Sequence, residues 1–362
     1  MFPDDFEHYQ TLLGPHRPKD VSDKEGLHHF RVFKKRMREN CDAALVELTS
    51  TDLCVYFCDF LLFALPDGFW PKNYFDYELY RFEPQERMRF LGSVHNLRVR
   101  KCFNPRDAWH LVEQKAELLE RLHAGGVLQR EWVIPAECTA DEFVCFAQRN
   151  PVMFVKSLDR KKGHGAHRVD ARVIGAEALY QQCCENNAVC EQAICQHGDM
   201  AELCPDSVNT MRVVTLRDVD GGIQVPCAAL RIGRVGQCVD HRRTNDFLTA
   251  VVSVQDGIVC SPALTNNHDR LSHHPDTSAL IAGRAIPAWD AVISCARTAH
   301  QLFPELGYIG WDIAVREDGN AEVVDADCYP DMTLVQAPSL KGVRDLFVPL
   351  VRQMKRAHKV RS

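Results

Sequence analysis

Near the C-terminal end, two apolar runs flank a short turn: Tyr308 to Val315, then Arg316-Glu317-Asp318-Gly319-Asn320, then Ala321 to Asp325. The Asp-Gly pair has the chemistry of a tight hairpin, so the two runs are expected to lie side by side and antiparallel. No other feature constrains the fold as strongly. Strand residues at i and i+2 project to one face. Asp325 and Asp327 can therefore point the same way, and Asp312, within Gly310-Trp311-Asp312-Ile313-Ala314, can lie across from them. Three carboxylates on one surface repel unless a cation sits between them. Mg²⁺ suits such a surface, being held by one or two carboxylates plus substrate phosphates, whereas zinc prefers softer donors. The competing reading is that each aspartate caps a turn.

Elsewhere, hairpins mix with helices. Val152 to Val155, Met211 to Leu216, Gln224 to Ile232 and Thr249 to Val254 read as strands. Glu177 to Cys184 reads as a helix. So does Asp107 to about His123, with Leu111, Leu118 and Leu122 on one face and Gly125-Gly126 as its stop. Trp289 to Phe303 carries Trp289, Val292, Ile293, Ala296, Ala299 and Phe303 on one apolar stripe. Residues 1–48 are polar and helix-rich, and Lys34 to Arg38 is a short basic run that reads as a solvated face. Leu53 to Leu65 is the most apolar stretch. It contains Asp59, is too short to span a bilayer, and reads as a core helix ended by Pro66-Asp67-Gly68. The loop Phe69 to Phe75 reads as core packing, with orientation of an aromatic partner as the alternative. The order suggests an α+β fold. Neither a dinucleotide fingerprint nor a P-loop is present.

Composition narrows the partners. With 43 Lys and Arg against 49 Asp and Glu, the net charge is −6. That argues against a general binder of nucleic acid or anionic membrane. The 16 cysteines include no CxxC pair. The chain opens Met1-Phe2-Pro3-Asp4-Asp5, unlike a secretory leader. The expectation is buried thiols in a reducing cytoplasm, with no structural zinc.

Two further constellations carry chemistry. Phe154-Val155-Lys156 delivers a lysine at a strand end, and Arg160-Lys161-Lys162-Gly163-His164-Gly165-Ala166-His167 follows. Gly163 and Gly165 allow close backbone approach to an anion. Lys161, Lys162 and His164 could close over phosphates; an exposed loop tip is the alternative. Arg212 and Arg231 each lie inside an apolar strand pattern. Such arginines need an anionic partner, either a ligand or a structural ion pair.

Read together, Asp206-Ser207-Val208-Asn209-Thr210-Met211-Arg212, Leu230-Arg231-Ile232-Gly233, His274-Pro275-Asp276-Thr277, Ile286-Pro287-Ala288-Trp289 and Ile309-Gly310-Trp311-Asp312 resemble the sugar-transfer-associated branch of the ATP-grasp superfamily. The resemblance runs over roughly residues 70 to 345, Tyr74 to Tyr80 included. It implies an ATP-grasp fold, two α+β lobes holding Mg-ATP between them. The implied segments are a helical region 1–68, a linker lobe 69–150, a small lobe 151–195 with the phosphate loop, and a C-terminal lobe 196–362 with the metal site. By resemblance, Lys115 and Lys156 are the nucleotide lysines and 160–167 the phosphate-covering loop. Glu191-Gln192-Ala193-Ile194 is the adenine hinge, with Glu191 near N6. Asp312, Asp325 and Asp327 fall on the metal ligands.

The chain departs from the family in ending Asp325-Ala326-Asp327 rather than Glu-x-Asn, and in having Ser157 rather than Pro after the second lysine. Asp240 to Phe247 replaces a glycine-rich segment and is expected to face substrate, with Asp240, His241, Arg243 and Asn209 as candidate contacts. The implied activity is carboxylate–amine ligation through an acylphosphate, acting on an amino acid or a sugar-linked carboxylate. Arg231 is the first and Arg212 the second candidate to stabilise the oxyanion. ATP and Mg²⁺ are the cofactors, and the partners are small molecules rather than nucleic acid or membrane. The alternatives are an ATP-grasp phosphotransferase and a nucleotide-binding scaffold with little turnover.

Overall fold

The computed structural model describes residues 50–127, 129–158, 166–237 and 247–361. Residues 1–49, with the basic run at 34–38, lie outside them, as do 159–165 and 238–246.

Helix α1 (Ser50–Asp59) runs into a π turn over Phe60–Ala64. Phe60 and Ala64 are buried, but Leu62 is 67% and Phe63 51% exposed. The expected core helix is therefore one-sided: it packs a single stripe inward and shows the other to solvent. It stops at Gly68, whose φ of 79° a side chain would resist. Helices α2 (Pro71–Asp76) and α3 (Pro84–Arg87) follow. Phe69, Tyr74 and Phe75 are core residues, as expected for that loop, while Trp70 faces outward. Helix α4 (Ser93–Phe103) comes next. The helix expected from Asp107 is divided. Gln114 takes an extended conformation between α5 (His110–Glu113) and α6 (Lys115–Ala124). Leu111, Leu118 and Leu122 are nevertheless all buried.

A four-stranded antiparallel sheet forms from β1 (Trp132–Val133), β2 (Val152–Ser157), β3 (His167–Asp170) and β4 (Ala188–Gln192), in the order β1-β4-β2-β3. Helices α7 (Ala140–Arg149), α8 (Ala171–Ile174) and α9 (Ala176–Glu185) accompany it. Thr139 and Glu142 form a reciprocal capping box at the start of α7. Phe143 and Phe146 of α7 then share a core with Met153 and Val155 of β2 and Leu179 of α9.

After α10 (Gly198–Ala201) comes a seven-stranded antiparallel sheet: β5 (Thr210–Arg217), β6 (Ile223–Ile232), β7 (Leu248–Val252), β8 (Ala263–Leu264), β9 (Arg270–Leu271), β10 (Tyr308–Val315) and β11 (Ala321–Asp327). Its order is β11-β10-β5-β6-β7-β8-β9. Helix α11 (Trp289–Gln301) covers one face through Val292, Ala296 and Ala299 against Met211, Val213 and Trp311. Helices α4, α12 (Thr333–Gln336) and α13 (Arg344–Arg361) cover part of the other. Being covered on both sides, β5 and β10 are buried almost throughout, which is why their sequences read as largely apolar runs, broken at Arg212 and Asp312. Under α11, His300 is fully buried between the Thr215 hydroxyl, 2.6 Å from Nδ1, and the Leu306 carbonyl, 3.0 Å from Nε2. Burial lowers its pKa to about 4. Among the described residues, no helix is long and apolar enough to cross a membrane, and the thirteen cysteines whose side chains are described, Cys58 to Cys328, are free thiols.

Candidate active site

The hairpin register decides which side chains meet. Asp312 on β10 sits opposite Arg212 of β5 on one side and opposite Asp325 of β11 on the other. Arg231, on β6, pairs with Thr210, two residues from Arg212. Strand alternation thus gathers Asp325, Asp312, Arg212 and Arg231 on one face. Arg212 donates Nε to Asp312 Oδ1 at 2.6 Å and Nη2 to Oδ2 at 3.0 Å, and Arg231 donates Nη1 to Oδ2 at 2.6 Å. Burial alone would raise the Asp312 pKa, but the two guanidinium groups overcome it and hold the carboxyl below its usual range. Gly310 makes the arrangement possible. A Cβ there would lie 2.7 Å from Pro330 Cβ and 3.2 Å from Arg212 Cδ.

The pairing is not regular. Register jumps from Asp312↔Asp325 to Ile313↔Val323, so Val324 is an extra residue in β11. This bulge keeps Asp325 and Asp327 on the site face. Glu322, on the turn side of the bulge and opposite Ala314, shares that face through the regular hairpin register. Asp327 Oδ2 lies 3.8 Å from Arg212 Nη1, and its Oδ1 accepts the Tyr329 N–H at 2.7 Å. Asp325 Oδ1 accepts the adjacent Ala326 N–H at 3.0 Å.

Among the described residues, no group of three or more His, Cys, Asp and Glu side chains is gathered around one point where a metal could sit. Both oxygens of Asp312 accept from arginines, so an ion shared with Asp325 and Asp327 would compete with those bonds. Asp325 and Asp327 are a different case. Among the described residues, the three carboxylates pair with two guanidinium groups. The surplus negative charge lies on these two, which matches the one or two carboxylates that Mg²⁺ takes alongside phosphates.

A second cluster lies between the sheets. Lys156, at the end of β2, pairs with Glu191 of β4 at 2.8 Å, and Arg130 pairs with the same carboxylate at 2.7 Å. Arg130 also reaches Glu322 through Nη1 at 2.7 Å and through its backbone N–H at 3.0 Å. Arg316 closes on Glu322 at 2.9 Å. Glu191 is 2% exposed, and Lys156 and Arg130 lower its pKa to about 2 against the upward push of burial. The carboxylate expected near adenine N6 is thus paired with two cations. Gln192 Oε1 accepts the Glu131 N–H. The hinge then runs through Ala193 and Ile194 to Gln196 and His197, which are pinned to the end of β10 by a bridge to Arg316 and a bond from the His197 N–H to the Val315 carbonyl.

Asn209, a candidate substrate contact, lies just before β5. It is fully buried, with Nδ2 donating to the Met200 and Cys204 carbonyls and Oδ1 accepting the Gly233 N–H. It fastens a loop to the end of β6. Lys115 opens α6, next to α5, whose Glu113 meets the Cys328 thiol just past β11. Lys161, Lys162, Gly163, His164 and Gly165 lie outside the described residues, as do Asp240, His241 and Arg243. Reading the sequence missed Arg130 and Glu322. The signal for Glu322 was available: counting outward from the Asp-Gly turn sets it opposite Ala314. Arg130 carries no local signal.

No curated protein sequence matches the chain. Among solved structures, it is similar to the ATP-grasp ligase PsnB with a phosphomimetic variant of its minimal precursor, Mg and ADP, at 13% identity and a TM-score of 0.43, over 72% of this chain and 66% of that one. It is also similar to N5-carboxyaminoimidazole synthase of Aspergillus clavatus with ADP and 5-aminoimidazole ribonucleotide, at 13% identity and 0.42, over 67% and 54%. A third is the D-alanine–D-alanine ligase of Coxiella burnetii, at 11% identity and 0.41, over 69% and 60%. A family comparison matches residues 156–349, more than half of the chain, to sugar-transfer associated ATP-grasp. With Lys156 opening that match and the Arg212–Asp312–Arg231 cluster and both hairpin strands inside it, the chain belongs to the sugar-transfer associated ATP-grasp family.

Proposed function

We propose that the protein is an ATP-dependent ligase that joins a carboxylate to an amine through an acylphosphate. The observation that carries this reading is the mixed face of the large sheet, where Arg212 and Arg231 are fixed by Asp312 beside two carboxylates with surplus negative charge. A ligase of this kind needs both signs side by side. Anionic substrate groups require cations, and nucleotide phosphates require a metal that carboxylates can hold. Asp325 and Asp327 are the residues that would hold Mg²⁺, which would neutralise phosphate charge. Lys156 and the loop containing Lys161, Lys162, Gly163, His164 and Gly165 would meet the phosphates, with Lys115 approaching from α6. The backbone of Gln192 to Ile194 would meet the base, a role that leaves Glu191 out.

In the reaction, a carboxylate oxygen of the substrate attacks the terminal phosphorus of ATP and ADP leaves. The amine then attacks the acyl carbon, and phosphate departs with the oxygen that made the attack. Charge on the acyl oxygen is met by Arg231, with Arg212 beside it. Because Asp312 already orients both guanidinium groups, little reorganisation is needed as that charge develops. Segments 69–150, 151–195 and 196–362 act as linker, small lobe and catalytic lobe, and the substrate is an amino acid or a sugar-linked carboxylate. The test is trapping with hydroxylamine. A carboxylate that supports ADP release should yield hydroxamate in equal amount. Phosphate retained on the product would instead make the protein a phosphotransferase.

A further inference from the structure

The buried charges between the two sheets form a chain: Arg316, Glu322, Arg130, Glu191, Lys156. Each link is a direct ion pair of 2.7 to 2.9 Å. Exposure falls to 0% at Glu322 and 2% at Arg130 and Glu191, and rises at the two ends, to 26% at Arg316 and 15% at Lys156. Glu322 belongs to β11, the strand that carries Asp325 and Asp327, and Lys156 belongs to β2 of the other sheet. Arg130 lies just before β1 and touches both sheets. Its fork also donates Nη1 to the Val323 carbonyl at 2.7 Å, so three acceptors fix it.

We propose that Arg130, anchored by Glu322, is a positioning residue that sets where Lys156 stands relative to Asp325 and Asp327. The proposal rests on the reading of Lys156 as a phosphate ligand. The physics is a competition for Glu191. Two cations share that one carboxylate, so Lys156 is held in place while part of its charge stays available to an anion. With a weaker partner at position 130, Glu191 turns wholly to Lys156. The ammonium is then drawn toward β4 and its charge is cancelled where a polyphosphate would need it. A single ammonium cannot replace the guanidinium, because it lacks the planar fork that reaches Glu191 and Glu322 together. Breaking a buried pair by deletion strands a carboxylate at high cost. The informative variants are therefore those that keep a cation on Glu191.

The experiment is a cycle of four full-length proteins: wild type, Arg130→Lys, Lys156→Gln and the double variant. Mg-ADP affinity is measured by calorimetry, with a thermal melt of each. Lys156→Gln should weaken Mg-ADP by tenfold or more. Arg130→Lys should weaken it by about tenfold although it removes no phosphate ligand, which is within the coupling range of side chains in one ion-pair network. The double variant should bind within about twofold of Lys156→Gln alone, because Arg130 acts only through Lys156. A merely structural role would add its loss in full to that of Lys156→Gln, and that result overturns the proposal. So does an unchanged affinity in Arg130→Lys. If Lys156→Gln itself binds normally, the nucleotide role of Lys156 fails first. Should Arg130→Lys melt below the assay temperature, Glu322→Gln takes its place in the cycle with the same expectation of non-additivity.

Discussion

Replacing Asp312 with asparagine removes a charge but almost no volume, so its effect isolates the ion pairs. Asp312 takes three N–H bonds, two from Arg212 and one from Arg231, in a setting where all three side chains are about 90% buried. An asparagine oxygen can still accept from Arg212 Nε. Its amide nitrogen must then face Arg212 Nη2 and Arg231 Nη1, setting donor against donor. Removing one member of a buried pair costs about 3–5 kcal/mol. With a urea m-value of roughly 2–3 kcal/mol/M, the unfolding midpoint should fall by about 1–2.5 M. Asp325 is the internal control. It shares the face but has no ion pair among the described residues, so Asp325→Asn should move stability by no more than about 0.5 kcal/mol. The same variant should weaken Mg²⁺-dependent ADP binding. Equal midpoint shifts in Asp312→Asn and Asp325→Asn would refute the division of labour drawn here, in which Asp312 holds the arginines and Asp325 is kept for the metal.

Stability should decline with acid in two windows. The His300 pKa is lowered from 6.5 to about 4, so its contribution is complete above pH 6.5 and is lost as pH falls toward 4; His300→Gln should flatten that part of a melting-temperature profile. The Glu191 pKa is lowered from 4.5 to about 2, so the link between the sheets should fail over that lower range, read as loss of the tertiary signal. Gly310→Ala should destabilise by about 1–3 kcal/mol, because the new methyl meets Pro330 and displaces the Arg212 stem. Asn209→Ala should cost about 2–3 kcal/mol in a urea titration by stranding the Gly233 N–H and two carbonyls, and the folded fraction should keep its KM.

The strands and helices that pack two-sided cores were legible from the chain alone. Long apolar runs such as Tyr308 to Val315, and the stripe on Trp289 to Gln301, admit few alternatives. The site was legible as a set of residue types, but not in its pairings. Counting from the hairpin turn sets Val324 opposite Asp312, and only the bulge brings Asp325 there. A bulge is set by how the strand packs, which hydrophobic alternation does not report. Arg212 and Arg231 were seen as arginines in need of an anion. That the anion is Asp312 depends on the cross-strand register of residues 100 and 81 positions apart, which no local pattern fixes. Glu191 was assigned from its place in a motif, and its pairing with Arg130, 61 residues away in sequence, carries no local signal. The break of the expected Asp107 helix at Gln114 has the same origin: the apolar face continues through it, so periodicity gives no warning.

The central claim is that a carboxylate is activated on phosphorus before the amine attacks. Oxygen tracing tests it most directly. A carboxylate that supports ADP release is supplied with ¹⁸O in its carboxyl group, and the inorganic phosphate formed with the amine is examined by mass spectrometry. Each phosphate released should carry one ¹⁸O, because the attacking carboxylate oxygen leaves with the phosphorus. Phosphate without ¹⁸O, or ¹⁸O kept wholly in the product while phosphate is released, would contradict it.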